Sequence, residues 1–309
     1  MDDANQMKPL LEAIRPTTFI ESVKLRERLG LDVTIASETF QHTGSFKFRA
    51  AYNVAINVPN DELIGVSSGN FGQALAYAAK LTGKKCTVIM PDNSAKVKVD
   101  AVRSFGAEAD LINVREVGRS ERLAQLANER PNAYLASAFD DKWVIEGNST
   151  LGDELGDGGF DAVIVPIGGG GLSSGIIQSF QRHGCDTKVF AAEPLMANDA
   201  ARSFAAGKLI ANEHEPQTLA DGARTLSVGG LNWEILEGGL AGVLEVSEDK
   251  IVQALRMYFE LANIKCEPTA ALPLGAILHD PGKFRDKKIC LIVSGGNVDA
   301  ELYSRLVLS

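Results

Sequence analysis

Short apolar runs along the chain end in glycine-rich turns and are followed by alanine-rich stretches with helical spacing. The clearest are LIGVSSGN before FGQALAYAAKLTG, CTVIMPDN before SAKVKVDAVRSFG, and DAVIVPIGGGG before LSSGIIQSFQRHG. In the second, the pattern predicts one apolar helix face, made of Val97, Ala101, Val102 and Phe105. Gly106 then predicts the end of that helix. A repeated strand–turn–helix unit is typical of an α/β protein with a largely parallel sheet.

The long helical pattern SEDKIVQALRMYFELAN precedes one further predicted strand, KKICLIVSGGNVD, which again ends in glycines. The chain has no tandem repeat and no low-complexity linker, and its composition marks no domain boundary. In open α/β sheets, ligands bind outside the carboxyl ends of the strands. We therefore expect the chemistry at the glycine turns.

Composition narrows the class of partner. With 309 residues and 45 % hydrophobic residues, the chain can bury a sizeable core, most simply in two domains. The net charge of −9 argues against nucleic acid, because such a partner needs a basic face. We expect a cytoplasmic protein without a membrane partner, since no signal-like or ~18-residue apolar stretch is present. The four scattered cysteines indicate neither a zinc site nor a disulfide scaffold.

Lys47 lies between two phenylalanines in HTGSFKFRAAYN, after a Gly-Ser turn and before a predicted helix. Aromatic neighbours would partly desolvate its amine, which lowers the pKa and suits Schiff-base chemistry with an aldehyde. The alternative is a lysine whose stem covers apolar surface while its ammonium stays in water.

Four consecutive glycines follow the predicted strand DAVIV and open a helix: Gly168, Gly169, Gly170 and Gly171. Successive N–H groups at such a turn converge on an anion near the helix N-terminus. The run is not followed by GK[ST], and it lacks a convincing dinucleotide fingerprint, so a monophosphate fits better than a nucleotide. A flexible turn without a ligand is the alternative.

Two further turns carry polar side chains. Ser67, Ser68 and Asn70, in VSSGNFGQA, could bind a carboxylate, although serine and asparagine are also common helix caps. Ser294 stands at the end of the last predicted strand, where an ordinary turn residue is the simpler interpretation.

These four runs occur in an order and spacing that resembles the fold-type II pyridoxal 5′-phosphate (PLP) enzymes, in particular the serine racemase and serine/threonine dehydratase group. The runs AAEPLMAND, LADGARTLSVGGLN and CEPTAALPLGA look like further landmarks of that family, so the resemblance covers nearly the whole chain. It implies a tryptophan synthase β-like α/β fold with two open, twisted, mostly parallel sheets flanked by helices. It also implies a homodimer, with a large PLP-binding domain at residues 1–59 and 139–309 and a small domain at 60–138.

The resemblance also assigns roles within a PLP site. Lys47 would hold the cofactor as a Schiff base and move the Cα proton, and Phe46 would pack against the cofactor ring. Asn70 would bind the 3′-oxygen and Ser294 would face the pyridine nitrogen. The phosphate would be held by Gly168, Gly169, Gly170 and Gly171.

The resemblance places the substrate on the SSGN turn. The residues implied are Ser67, Ser68, Gly69 and Asn70. In similar serine racemases the second serine exchanges the Cα proton on the face opposite the lysine. Ser68 would therefore act as a second catalytic residue and keep racemisation open.

A divalent-cation site is also implied, at Glu193, Ala197 and Asp199. Two carboxylates and a backbone carbonyl supply hard oxygen ligands suited to Mg²⁺, Mn²⁺ or Ca²⁺. Apart from the resemblance, two ordinary solvated charges would explain the same residues.

Three departures from the family pattern lie near the expected site: Phe71 in place of a histidine, the segment SAFDDKWVIEGNSTLGDEL, and EPTAA without the usual following glycine. They suggest a modified substrate pocket.

From the resemblance we expect an ammonia-lyase (dehydratase) that converts a small L-hydroxy amino acid, such as threonine or serine, to a 2-oxo acid and ammonia.

Three alternatives remain open. The first is racemisation of serine or another amino acid. The second is dehydration of 3-hydroxyaspartate, for which Arg49 and Lys142 are candidate contacts to the side-chain carboxylate. The third is a non-catalytic PLP-binding protein on the same fold, since fold does not imply function.

Overall fold

A computed structural model describes residues 3–308, with side chains from residue 7 onward. Over this range the chain forms two mostly parallel sheets flanked by helices, as predicted. The strands are β1 (Thr18–Ile20), β2 (Asp32–Ser37), β3 (Glu62–Val66), β4 (Lys85–Pro91), β5 (Glu108–Ile112), β6 (Tyr134–Ala136), β7 (Ala162–Pro166), β8 (Lys188–Pro194), β9 (Leu240–Val246) and β10 (Lys288–Val293).

The helices alternate with these strands along most of the described chain. They are α1 (Asp3–Ala13), α2 (Val23–Leu29), α3 (Lys47–Asn57), α4 (Asn70–Thr82), α5 (Lys96–Ser104), α6 (Arg119–Glu129), α7 (Lys142–Gly156), α8 (Gly171–His183), α9 (Asp199–Ala206), α10 (Gly230–Gly239), α11 (Glu248–Ala262), α12 (Pro268–His279) and α13 (Ala300–Leu308). Across residues 3–308 no helix combines the length and the apolar character that a membrane crossing requires.

The larger sheet has the strand order β1-β2-β10-β7-β8-β9, and β1 is its one antiparallel strand within residues 3–308. Its central strands β7 and β10 are almost wholly buried and read as continuous apolar runs. That composition is expected of parallel strands covered by helices on both faces. The carboxyl ends of these two strands lead into the glycine tetrad and the SGGN turn.

The smaller sheet has the order β5-β4-β3-β6 and is parallel throughout. All four strands fall within the predicted small domain, residues 60–138. Its hydrophobic core also takes in Ala50, Ala51 and Val54 of α3, which lies outside that range. The exact domain boundary therefore stays a prediction.

The apolar face predicted for α5 is partly wrong. Val97 is 64 % exposed, whereas Val99 and Val102 are buried. In α5, which begins at Lys96, the buried valines are Val99 and Val102, three residues apart and therefore on one face of the helix. The observed apolar face contains Val99 in place of Val97.

The sequence analysis also missed a helix. It predicted only one strand after α11, but residues 268–279 form the buried helix α12 between α11 and β10. This helix begins with Pro268 at its first position and is apolar on all sides. A helix that is apolar all round carries no 3.6-residue period, so the pattern could not reveal it.

Candidate active site

A cavity of about 340 Å³ lies beside the carboxyl ends of β3, β7 and β10. Strand ends from both sheets therefore contribute to its wall. It brings together every residue to which the family resemblance gives a cofactor or substrate role, namely Phe46, Lys47, Ser67, Ser68, Gly69, Asn70, Gly168, Gly169, Gly170, Gly171 and Ser294. Their common position is a finding, while their individual roles stay predictions.

Lys47 is the first residue of α3, and its half-buried side chain lines the cavity. The Nζ atom donates a hydrogen bond of 2.7 Å to the carbonyl of Ala138 and lies 5.0 Å from the ring centre of Phe46. Burial lowers the pKa of Lys47 to about 8, with the nearby Glu267 opposing that shift. A larger fraction of this amine is therefore neutral near physiological pH, as a nucleophile toward an aldehyde requires.

The backbone on either side of the cavity holds Lys47 in place. The N–H of Phe46 donates to the carbonyl of Ser294 at 3.0 Å, and Ser45 pairs with Gly295 in an isolated bridge. The turn that carries Lys47 is thus fastened to the end of β10.

Arg49 fastens the same helix from its other side. Its side chain is completely buried and forms ion pairs with Glu38 at 2.8 Å and Glu154 at 2.7 Å. The hypothesis that Arg49 or Lys142 binds a substrate carboxylate is not supported, because neither lines the cavity. The guanidinium of Arg49 is paired with Glu38 and Glu154. The Nζ atom of Lys142 lies over the Trp143 ring, 4.5 Å from its centre.

The glycine tetrad presents its N–H groups as an anion cradle. The Gly169 carbonyl accepts hydrogen bonds of 3.0 Å from both the side chain of Asn232 and the N–H of Gly229. In a planar trans peptide the carbonyl and the next N–H point in opposite directions, so the Gly170 N–H faces away from Asn232. Gly170 has φ +93°, which only glycine adopts readily.

These N–H groups have room for an anion and no competing partner. Among residues 3–308, none of the four tetrad N–H groups donates a hydrogen bond, and the tetrad leads directly into α8. A Cβ on Gly169 would enter the ring of Phe139, and one on Gly168 would lie 2.7 Å from the Gly222 carbonyl. Side chains are excluded at these two positions, and the unpaired N–H groups at a helix start fit a phosphate.

The segment that departs from the family pattern forms one wall of the cavity. Asp140 accepts hydrogen bonds from the N–H groups of Gly230 at 3.0 Å and Leu231 at 2.9 Å, which begin α10. The amide of Asn232 donates to the Phe139 carbonyl at 3.0 Å. The departure therefore ties the start of α10 to the glycine tetrad. Phe71 is also buried, and Lys47 Nζ lies 5.8 Å from its ring centre.

Two cavity residues received no role in the sequence analysis. Glu267 is 4 % exposed, and both its oxygens accept from the amide of Asn70 at 2.9 Å. Burial raises the pKa of Glu267 to about 7. Asn297 donates to Asn70 Oδ1 at 2.9 Å. Both lie in runs noted as landmarks, EPTAA and SGGN, but nothing local predicts that they meet at Asn70.

Three cationic side chains also line the cavity. Lys98 pairs with Asp221 at 3.1 Å, and Arg119 pairs more loosely with Glu215 at 3.5 Å. Arg224 donates through Nε to the Thr218 carbonyl at 2.9 Å and has no acidic partner within residues 3–308. Arg224 is therefore the one of these three cations without an acidic partner among the described residues.

The predicted cation-site residues lie outside the cavity. Glu193 and Asp199 are each 1 % exposed, so they are not ordinary solvated charges. Glu193 accepts from the N–H groups of Ala200 and Ala201, and Asp199 accepts from the side chain of Asn212, each at 2.9 Å.

Burial raises the pKa of Glu193 to about 8 and that of Asp199 to about 7. Residues 3–308 contain no group of three His, Cys, Asp or Glu side chains placed to hold a metal. Two carboxylates with hard oxygens and one backbone carbonyl nevertheless suit a divalent cation. Cation binding at Glu193, Ala197 and Asp199 stays a prediction.

Comparison with known proteins agrees with this geometry. A serine racemase from Dictyostelium discoideum is 36 % identical over 311 residues, covering 97 % of this chain and 95 % of that protein. An L-threo-3-hydroxyaspartate ammonia-lyase from Saccharomyces cerevisiae is 34 % identical, covering 99 % and 94 %. The solved structure of maize serine racemase superposes with a TM-score of 0.91 at 30 % identity, covering 98 % of this chain and 94 % of that one.

The sequence pattern of the family described as "Pyridoxal-phosphate dependent enzyme" matches residues 10–295. That match spans both sheets and every residue that lines the cavity except Asn297. The structural match extends the agreement to the fold-type II arrangement of two mostly parallel sheets. This chain belongs to the pyridoxal-phosphate dependent enzyme family and has its fold-type II fold.

Proposed function

We propose that this protein is an ammonia-lyase that converts a small L-hydroxy amino acid to a 2-oxo acid and ammonia. The observation that carries the proposal is the meeting, in one cavity, of the buried Lys47 amine, the N–H cradle of the glycine tetrad and the Ser67–Asn70 turn. The yeast relative bears the name of this reaction on 3-hydroxyaspartate.

The residues present fit PLP. The tetrad N–H groups would hold its phosphate, the Lys47 amine would hold its aldehyde carbon, and Asn70 would face its 3′-oxygen. Ser294, 1 % exposed at the end of β10, would face the pyridine nitrogen with a neutral hydroxyl. When bound, PLP supplies the electron sink that makes the Cα–H bond of an amino acid acidic.

The protein then has to orient the amino acid and move one proton. The start of α4 offers backbone N–H groups and the Ser68 side chain to the α-carboxylate, in a position favoured by the helix dipole. Lys47, with its depressed pKa, is suited to accept the Cα proton as a neutral amine. Loss of the β-hydroxyl and hydrolysis of the nitrogen-bearing product give the 2-oxo acid and ammonia.

Two arginines that line the cavity favour a substrate with a second carboxylate. Arg224 lines the cavity without an acidic partner in the described residues, and Arg119 holds its partner only at 3.5 Å. Arginine binds carboxylates through paired N–H donors. Within the proposed class we therefore rank L-threo-3-hydroxyaspartate above serine and threonine.

Racemisation is the second candidate function. It is favoured by the hydroxyl of Ser68, which lines the same cavity as Lys47. A base on each side of the substrate would permit exchange of the Cα proton, whereas elimination needs Lys47 alone. Appearance of the D-enantiomer from an L-amino acid, and its loss in Ser68→Ala with elimination retained, would establish this function.

The proposal is tested by incubating PLP-loaded protein with L-serine, L-threonine and L-threo-3-hydroxyaspartate and measuring 2-oxo acid and ammonia. Equimolar products from at least one substrate are expected. A normal cofactor spectrum with no turnover of any of them would instead favour a non-catalytic PLP-binding protein. Assembly as a homodimer remains a separate prediction, which sedimentation at several protein concentrations would test.

A further inference from the structure

A chain of hydrogen bonds runs beneath the cavity and joins segments that are distant in sequence. Asn297 Nδ2 donates to the carbonyl of Thr43 at 2.7 Å and to Asn70 Oδ1 at 2.9 Å. Asn70 Nδ2 in turn donates to both oxygens of Glu267, each at 2.9 Å. The chain therefore links the turn before Lys47, the start of α4, the start of α12 and the SGGN turn.

The partners at the two ends of this chain determine which way each amide points. A backbone carbonyl can only accept, so the Asn297 group facing Thr43 must be its NH₂. Both donors of that NH₂ are then used, on Thr43 and on Asn70 Oδ1. The Asn297 NH₂ then requires the Oδ1 of Asn70 on its side, which turns the NH₂ of Asn70 toward the oxygens of Glu267.

One N–H of Asn70 is left over by this arrangement. Glu267 takes one N–H, shared between its two oxygens, and the second is available to the cavity that Asn70 lines. A flipped Asn70 would place its carbonyl against the Glu267 carboxylate. It would also place its NH₂ against the NH₂ of Asn297. Both contacts are unfavourable, so the chain permits one orientation.

The backbone around Asn297 leaves this amide little freedom. Thr43 has φ +61°, an uncommon conformation for a residue with a side chain, and Gly44 has φ +75°. A Cβ on Gly44 would lie 2.5 Å from Asn297 Oδ1. The turn and the amide are thus fitted closely to each other.

We propose that Asn297 and Glu267 are positioning residues that hold the Asn70 amide with one N–H directed into the cavity, where the 3′-oxygen of PLP would lie. This inference rests on the proposed function for the identity of the ligand. It adds two residues that act through Asn70, and it states that they direct one Asn70 N–H into the cavity.

Asn297→Asp tests the proposal most sharply, because it is nearly isosteric and cannot donate to Thr43 or to Asn70. The readouts are the dissociation constant of PLP and the pH midpoint of the visible absorbance band of the bound cofactor. Loss of one well-placed hydrogen bond predicts an affinity about tenfold weaker, together with a shifted pH midpoint. Activity need not be measured.

A double-mutant comparison separates positioning from a general structural effect. If Asn297 acts through Asn70, then adding Asn297→Asp to Asn70→Ala should change neither readout further. An equal effect in both backgrounds, or wild-type values in Asn297→Asp alone, would overturn the proposal.

Glu267 provides a second pair of variants in case Asn297→Asp does not fold. Glu267→Gln can still accept from Asn70 and should keep the wild-type affinity within about threefold. Glu267→Leu cannot accept and should weaken PLP binding as Asn297→Asp does. Equal behaviour of the Gln and Leu variants would contradict the inference.

Wild-type protein that binds no PLP would refute the proposed function as well, whereas normal wild-type binding with unaffected variants would refute the inference alone.

Discussion

Asn232 and Gly169, 63 residues apart, are joined by a 3.0 Å hydrogen bond from the asparagine amide to the glycine carbonyl. The same amide donates to the Phe139 carbonyl. Asn232 and the N–H of Gly229 therefore fix the direction of the Gly169 carbonyl together, and the Gly170 N–H faces away from both donors.

Asn232→Asp should weaken phosphate binding to this cradle. The new carboxylate would repel the carbonyl oxygens of Phe139 and Gly169, and the Gly169 carbonyl would lose one of its two donors. We expect PLP affinity to fall by at least about tenfold, with a lower melting temperature. Isothermal titration with PLP would measure the first effect. The exposed Asn93→Asp is the matched control, and identical affinities of the two variants would contradict the role of Asn232.

The depressed pKa of Lys47 predicts a pH dependence for cofactor loading. The neutral amine attacks the aldehyde, so the loading rate of apoprotein should rise with pH and level off above a midpoint near pH 8. Stopped-flow absorbance between pH 6.5 and 10 would record it, with the exposed Lys96→Ala as control. A rate that still climbs steeply at the upper limit would show that Lys47 titrates like an ordinary lysine.

Glu267→Gln should change how apoprotein stability depends on pH. Burial raises the pKa of Glu267 to about 7 in the folded state, so the folded state binds this proton more tightly than the unfolded state. Stability contributed by the protonated form is full below the ordinary carboxyl pKa and is lost as pH rises through about 7.

The glutamine variant does not lose this stability as pH rises, because its side chain has no carboxyl proton to release. Its melting temperature relative to wild type should therefore increase between pH 5 and pH 8, by an amount equivalent to at most about 3 kcal/mol. Calorimetry of both apoproteins at several pH values measures this. A difference that is constant with pH would mean that Glu267 is not held protonated by burial.

Arg224→Gln should discriminate between substrates. Glutamine can still donate to the Thr218 carbonyl but carries no charge, so only recognition of a second carboxylate is removed. We expect kcat/KM for L-threo-3-hydroxyaspartate to fall by about tenfold or more while that for L-serine changes little. Arg103→Gln on the exposed face of α5 is the control. Parallel losses on both substrates would contradict a contact to the side-chain carboxylate.

A divalent cation should stabilise the segment that contains Glu193 and Asp199. Mg²⁺ or Ca²⁺ would offset the repulsion between two buried carboxylates, which raises the melting temperature of the native state by mass action. Differential scanning fluorimetry with and without EDTA measures the effect. It should vanish in Asp199→Asn and persist in the exposed Asp157→Asn; a response unchanged in Asp199→Asn would place the cation elsewhere.

Local sequence patterns predicted the features that are formed by consecutive residues. These are the strand–turn–helix units, the glycine tetrad and the placement of Lys47 at the start of a helix. Their meeting in one cavity followed from the rule that ligands bind at carboxyl ends of strands and from the family resemblance. Lys47, the tetrad and Ser294 line that cavity together.

The remaining features depend on contacts between distant residues. Lys47 meets Ala138 at a separation of 91 residues, and Asn70 meets Asn297 at a separation of 227, so no window of sequence contains either pair. The structural role of Arg49 has the same origin. Arg49 was one of two candidate contacts to a substrate carboxylate, but its partners Glu38 and Glu154 appear only once the chain is folded.

The absorbance spectrum of PLP-loaded protein and of Lys47→Ala, followed by addition of L-threo-3-hydroxyaspartate, L-serine and L-threonine, shows whether Lys47 holds the cofactor for an elimination reaction. We expect a visible cofactor band in the wild type that is absent from the variant. We also expect 2-oxo acid from at least one substrate with wild-type protein only. If wild-type protein reconstituted with PLP shows no such band, Lys47 does not hold PLP and the proposed function is wrong.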